Sequence, residues 1–225
     1  MGLKGRSPLK SPPQEPLASA RRSFATSLIL VIGAGAITKL ATFMQNIWQS
    51  CKTIIFIIIL LWLIFAIGLI IPLDWLGIKP RSISGLQGII FAPFIHAGID
   101  HLLANSISLL LLGTAFFAIE RRLPLFILLF IIITGGLGTW IIGRSGYLHI
   151  GASGVIYGIL GYLLAMGVFA RNIKAILVSV LVFVLYGGMV WGIFPSDGFI
   201  SWESHLCGFI AGIIAARFYA RSGNA

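Results

Sequence analysis

The chain has 225 residues, of which 58% are apolar and 10% charged, and its mean hydropathy is +1.03. A soluble domain carries about a quarter charged residues, so this composition excludes an ordinary water-soluble fold and makes lipid the solvent. The net charge of +10 comes from short basic clusters between apolar runs, which is the pattern of membrane topology and not of a nucleic-acid-binding stripe.

Residues 1–23 hold four of the nine prolines together with Lys4, Arg6, Lys10, Arg21 and Arg22, and read as a disordered basic tail. Phe24–Thr38 is apolar but short of the length that spans a bilayer. With its flanks, residues 24–52, it reads as an interfacial or partly inserted segment. Arg21-Arg22-Ser23-Phe24 looks like a degenerate twin-arginine signal, yet no Ala-x-Ala cleavage site closes the run. Six runs of near-spanning length follow: Thr53–Ile71, His101–Ile119, Leu123–Ile142, Ser153–Ala170, Ala175–Phe194 and Trp202–Tyr219. The fold class expected is all-α, a polytopic bundle of six membrane helices over residues 53–221. The linker from Pro72 to Asp100 carries Pro80 and Pro93 and is semi-apolar. It reads as a loop half sunk in the outer leaflet, its backbone shielded by protein.

Lysines and arginines orient the bundle. With the N-terminus inside, thirteen of them fall on the cytoplasmic side and three (Lys79, Arg81 and Arg144) outside. The expected location is a bacterial plasma membrane, with both termini cytoplasmic. Cys51 and Cys207 then lie on opposite sides of the bilayer, which argues against a disulfide between them.

In this topology the second, fourth and sixth spans start at the outer face, near His101, Ser153 and His205. All four histidines (His96, His101, His149 and His205) gather near that depth, where ionisable groups are costly and usually functional. Gly151-Ala152-Ser153-Gly154 can turn tightly, and the helix that Ser153 opens offers free N–H groups to an oxyanion. On the tetrapeptide alone an N-cap serine is the plainer reading. Gly154, Gly158 and Gly161 on one span, with Gly208, Gly212 and Ala216 on another, make two small-residue faces that permit close approach. Close packing of these two parallel helices would bring Ser153 to His205. His101 and Asn105 share a helical face and suit either an oxyanion or a helix–helix polar contact. Tyr157, one turn below Ser153, could pack on the His205 ring or simply be core. Asp197, Glu203 and His149 read as solvated loop residues.

Three motifs, Gly-Ala-Ser153-Gly-Val-Ile-Tyr157, His96-Ala with His101-Leu-Leu-Ala-Asn105, and His205-x-x-Gly208-x-x-x-Gly212, resemble those of the rhomboid intramembrane serine proteases, in that family's order. The resemblance covers about residues 53–220. It implies a six-helix fold and a Ser–His dyad, Ser153 attacking and His205 serving as base. It further implies an oxyanion hole from His101, Asn105 and the Ser153 N–H, with Tyr157 bracing the imidazole. Gly151 would permit the turn before the serine, and His96 would hold the preceding loop. Substrates would be transmembrane segments cut near the outer face, with no cofactor, metal or nucleic acid involved; the oligomeric state is left open. Two departures stand out. The Trp-Arg pair that many relatives carry in the first loop is missing, with Gln87-Gly88 near its place, and Glu120-Arg121 lies farther from Asn105 than the family's acidic–basic pair. Both bear on loop stability more than on chemistry.

Other functions fare less well. A rhomboid-like protein that binds membrane helices without cutting them usually lacks the serine or the histidine. A transporter would show an inverted repeat or a pair of broken spans. Zinc proteolysis would need His-Glu-x-x-His, and aspartyl proteolysis would need two aspartates within the spans.

Overall fold

The computed structural model describes residues 15–170, 172–196 and 200–220, with side chains from residue 35 onward. The tail at 1–14, Arg171, Asp197 and the last five residues lie outside the described residues. All regular structure is helical apart from one isolated bridge. Among the described residues seven helices follow one another, with a short 3₁₀ turn at Asp74–Leu76 besides: α1 (Glu15–Gly68), α2 (Ile83–Phe94), α3 (Ile99–Ile119), α4 (Pro124–Ile142), α5 (Ser153–Phe169), α6 (Ile173–Ile193) and α7 (Trp202–Tyr219). Two compact units divide the chain, Met1–Gln45 and Asn46–Ala225. In the first, every residue from 35 to 45 is exposed. Helix α1 runs through both boundaries expected from composition, at 23/24 and at 52/53.

Among the described residues, four helices are long and apolar enough to cross a membrane: Gly35–Gly68 within α1, α3, α4 and α6. Helix α5 has 17 residues, about 26 Å at 1.5 Å per residue, and its surroundings are protein. Ile156 through Leu163 are all buried, as befits a helix apolar on every side. The core is built around it, from Tyr162, Phe116, Ile127, Ile131 and Leu112, none more than 1% exposed. Helix α6 is the opposite case: Leu177, Val180, Leu181, Phe183, Val184 and Leu185 are all exposed.

Local chemistry sets the helix ends. Asn172 caps α6 by accepting the Ala175 N–H at 2.9 Å. Pro124 opens α4, where its missing N–H costs nothing. Between α3 and α4, Glu120 accepts the backbone N–H groups of Arg122 and Leu123 on one oxygen and the Tyr162 hydroxyl, at 2.6 Å, on the other. Midway along α3, Leu109–Gly113 forms a π-helical turn. Such a turn absorbs extra length without breaking the helix, which suits the long spacing from Asn105 to Glu120. Gly113 there lies against the Ile54 side chain, which a Cβ would meet at 2.6 Å.

The linker between α1 and α3 is tied down by its own devices. Ile78 exchanges both backbone hydrogen bonds with His149, at 2.9 and 3.0 Å. Gln87 donates to the Trp75 carbonyl, and Gly88 lies so close to the Gly77 backbone that a side chain would not fit. Arg81 takes φ +55°, receives the Trp140 carbonyl at its N–H and reaches Ile141 O and Ser145 with its guanidinium. The Trp140 indole donates back to Ser82 O at 2.9 Å.

Candidate active site

The small-residue faces of α5 and α7 meet backbone to backbone. A Cβ on Gly208 would strike the Gly154 carbonyl, one on Gly212 the Gly158 carbonyl, and one on Gly161 the Phe209 carbonyl. Residues 154 and 158 thus face 208 and 212 in the same order, so the two helices run parallel. Only glycine allows this separation, and it places the N-terminal turns of α5 and α7 side by side.

That contact joins the two residues singled out by sequence. His205 Nε2 lies 2.9 Å from Ser153 Oγ. Its other ring nitrogen, Nδ1, lies 3.0 Å from the Gly192 carbonyl. A carbonyl only accepts, so Nδ1 carries the proton and Nε2 presents its lone pair to the serine hydroxyl. Tyr157 stacks on the imidazole, ring centroids 4.1 Å apart and planes within 8°. His205 is 8% exposed, and Ser153 is half-buried.

Gly151 adopts φ +110°, a conformation open to glycine and rarely to others. Its N–H donates to the Ala92 carbonyl at 2.9 Å. A Cβ at this position would lie 2.5–2.6 Å from the His101 ring and 3.5 Å from Asn105 Nδ2. His101 and Asn105 therefore reach the turn that leads into Ser153. The Asn105 amide nitrogen is buried and has no hydrogen-bond partner among the described residues, a donor left open at that turn. His96 stacks edge-on to His101, centroids 5.1 Å apart. Beside the Phe94 backbone, the ring borders a hollow of about 300 Å³ that also meets Phe65, Asp74 and Gly98, roomy enough for water. Burial, and secondarily the neighbouring His101, push the His96 pKa down to about 4.

Two expectations need correction. His149 is not an exposed loop residue: the Ile78 bridge turns it inward, 2% of it is exposed, and burial lowers its pKa. Nor is Glu203 a solvated loop charge. It sits in the first turn of α7, 1% exposed, with Arg144 Nε at 2.7 Å. The sequence reading also missed the Gly192 carbonyl, a backbone group that no side-chain pattern reveals. A glycine near the end of the fifth apolar run was the available hint.

Residues 84–222 match the Rhomboid domain. The chain belongs to the rhomboid family. Over 152 residues it is 43% identical to "Uncharacterized protein Rv1337" of Mycobacterium tuberculosis, an alignment covering 64% of this chain and 63% of that protein. It is 40% identical to "Uncharacterized protein ML1171" of Mycobacterium leprae over 152 residues, 64% of this chain and 60% of the other. Identity to "Putative rhomboid protease YdcA" of Bacillus subtilis is 33% over 124 residues, 53% of this chain and 60% of that one. The match thus spans a little under two thirds of the mycobacterial relatives' length. In this rhomboid chain the motif residues Ser153, His205, Tyr157, His101, Asn105 and Gly151 form one constellation, with His96 behind it and the Gly208 and Gly212 contacts beneath.

Proposed function

We propose that this rhomboid protein is an intramembrane serine endopeptidase that cuts transmembrane segments near the outer face of the membrane. The observation that carries the reading is the His205 ring held between the Gly192 carbonyl and the Ser153 hydroxyl. It supplies a base of defined tautomer next to a nucleophile, with a backbone carbonyl in the place where a triad has a carboxylate.

In the reaction, Ser153 Oγ attacks the scissile carbonyl carbon and His205 Nε2 takes the hydroxyl proton. The carbonyl oxygen becomes an oxyanion, met by Asn105 Nδ2, His101 and the Ser153 N–H at the start of α5. His205 then gives its proton to the leaving amine as the C–N bond breaks. Water, deprotonated by the same nitrogen, releases the acyl group and restores the serine. Tyr157 keeps the ring from swinging away during both transfers.

Six spans with both termini cytoplasmic complete the reading. Helix α5 and α7 are the inner members, and the outer ends of α3, α5 and α7 carry the site. Cysteines introduced at Gly146 and Asn172 test the orientation with an impermeant thiol reagent on intact cells. Position 146 should label and 172 should not; the reverse overturns it.

The decisive experiment for the chemistry is fluorophosphonate labelling of purified protein, alongside cleavage of a single-span substrate. Wild type should be labelled and active. Ser153→Ala and His205→Ala should be neither, while remaining folded, because Ala152 and not Ser153 is the N-cap of α5 and the lost Ser153–His205 hydrogen bond is worth only about 0.5–1.5 kcal/mol. Equal cleavage by Ser153→Ala would refute the proposal.

A further inference from the structure

We propose that Glu203 and Arg144 form a positioning clamp that sets the rotation of α7, and with it the distance from His205 to Ser153. The inference rests on the protease reading above, and concerns two residues that take no part in the chemistry just derived.

The clamp has three bonds. Glu203 Oε1 accepts the Arg144 backbone N–H at 3.2 Å and its Nε at 2.7 Å. The Arg144 Nη2 donates to the Ile200 carbonyl at 2.8 Å, just ahead of α7. The guanidinium carbon also lies 4.4 Å from the Tyr147 ring centre, so the arginine is held from its flank as well. Arg144 belongs to the linker that ends at Ser153, and Glu203 to the helix that carries His205. The same linker is fixed to the α1–α3 segment at three further places, Ser145 to Arg81, His149 to Ile78 and Gly151 to Ala92. Of these anchors, Arg144 is the one that reaches α7.

Helical geometry explains why this matters to the base. Residues 203 and 205 lie about 200° apart around the axis at roughly 100° per residue, so the clamp and the dyad grip nearly opposite sides of the same turn. A rotation of α7 that relaxed one would pull the other. At a side-chain radius of about 5–6 Å, a turn of about 10° moves a group by roughly 1 Å. A misplacement of that size can cost about a hundredfold in rate. The α5–α7 glycine contacts fix how close the helices come, whereas a row of glycine has no side chain to key its rotation. Glu203 supplies that key. Its carboxylate also suits the positive end of the helix, and a charge with 1% exposure persists only when paired.

Steady-state cleavage of a single-span substrate by wild type, Glu203→Ala, Glu203→Gln and Arg144→Ala tests the clamp. The measurements are made well below each variant's melting temperature and normalised to folded protein. Glu203→Ala and Arg144→Ala should lose at least about tenfold in kcat with KM unchanged, and the fluorophosphonate labelling rate should fall in parallel. Glu203→Gln retains an acceptor for both Arg144 donors and should recover to within about threefold of wild type. A purely structural pair would lower the melting temperature and leave the kcat of folded protein at the wild-type value, which would overturn the proposal. Should the alanine variants fail to fold, Arg144→Lys decides. It keeps the charge beside Glu203 but cannot also reach Ile200, and a kcat equal to wild type would refute the clamp. An active wild type with fully active variants sinks the clamp alone. A wild type that is neither labelled nor active sinks the protease reading and the clamp with it.

Discussion

Helices α5 and α6 are consecutive, mostly apolar and similar in hydropathy, yet Ile156–Leu163 of the first is sealed in the core while the second lines the periphery with a row of exposed Leu, Val and Phe side chains. The difference lies in the small residues. Gly154, Gly158, Gly161 and Gly167 let α5 accept neighbours against its backbone on several sides, whereas Ile173–Tyr186 contains no glycine at all. In an apolar solvent, hydrophobicity cannot tell a helix which side is in, and close packing decides instead. The candidate site draws on both kinds of helix. Ser153 and His205 sit on the tightly joined pair α5 and α7, while the carbonyl that orients His205 comes from the 3₁₀ tail of loosely packed α6.

The sharpest way to break this contrast is to give the seam a side chain. Gly208→Val would drive a branched group into the Gly154 carbonyl, and neither backbone can yield without separating the helices. Overpacking of ordinary cores costs about 1–3 kcal/mol, and a backbone collision should exceed that. The expected outcome is loss of the monodisperse folded protein on size exclusion and of all fluorophosphonate labelling. Wild-type labelling by Gly208→Val would mean that the seam is not what holds the dyad together.

A smaller blow falls on the α6 side. A Cβ at Gly192 would collide with the Tyr157 hydroxyl and come within 3.6 Å of His205 Nδ1. Gly192→Ala should therefore shift the 3₁₀ tail, weaken the carbonyl's hold on Nδ1 and free the other tautomer. Labelling and cleavage should drop by about 10- to 100-fold with the melting temperature nearly unchanged, because so little of α6 is buried. Unaltered rates would show that Tyr157 stacking alone orients the ring.

These two variants also mark what sequence could and could not convey. Ser153 and His205 were legible because three spans open on reactive side chains at one depth, and the glycine faces implied the helix pair that unites them. The Gly192 carbonyl was hidden because every residue has one. Glu203 and His149 were misread for a related reason: their partners, Arg144 and Ile78, lie 59 and 71 residues away, and short-range context around a loop charge resembles that of any solvated one.

Acid should act on the loop side of the site more gently than either glycine variant. His96 has a pKa of about 4 in the folded protein, against 6.5 for the free ring. Between those values the unfolded chain binds the proton and the folded one does not, so its contribution to stability is complete above pH 6.5 and is lost as pH falls toward 4. His149, lowered in the same direction, adds to the slope. Thermal unfolding in detergent should show a midpoint that declines between pH 6.5 and 4, and His96→Phe should flatten that decline by about 1–3 kcal/mol. An unchanged slope in His96→Phe would mean that the hollow beside the ring solvates its charged form as well as bulk water does.

The smallest effect is expected where the comparison began. Leu181 on α6 is 56% exposed and Leu160 on α5 is 0% exposed; both are leucines in the interior of apolar helices. Leu160→Ala removes atoms that the core cannot refill and should cost about 2–5 kcal/mol. Leu181→Ala removes atoms whose neighbours are lipid or detergent chains, which flow into the space, so no cavity remains and the transfer between two apolar surroundings is nearly neutral. Its unfolding midpoint should stay within about 0.5 kcal/mol of wild type, and its kcat should be unchanged, since Gly192 lies on the 3₁₀ tail beyond the exposed stretch. If Leu181→Ala proved as damaging as Leu160→Ala, the outer face of α6 would have to be covered in the folded protein, by a second copy or by an ordered lipid. The contrast between an enclosed α5 and a peripheral α6 would then describe one chain and not the working assembly.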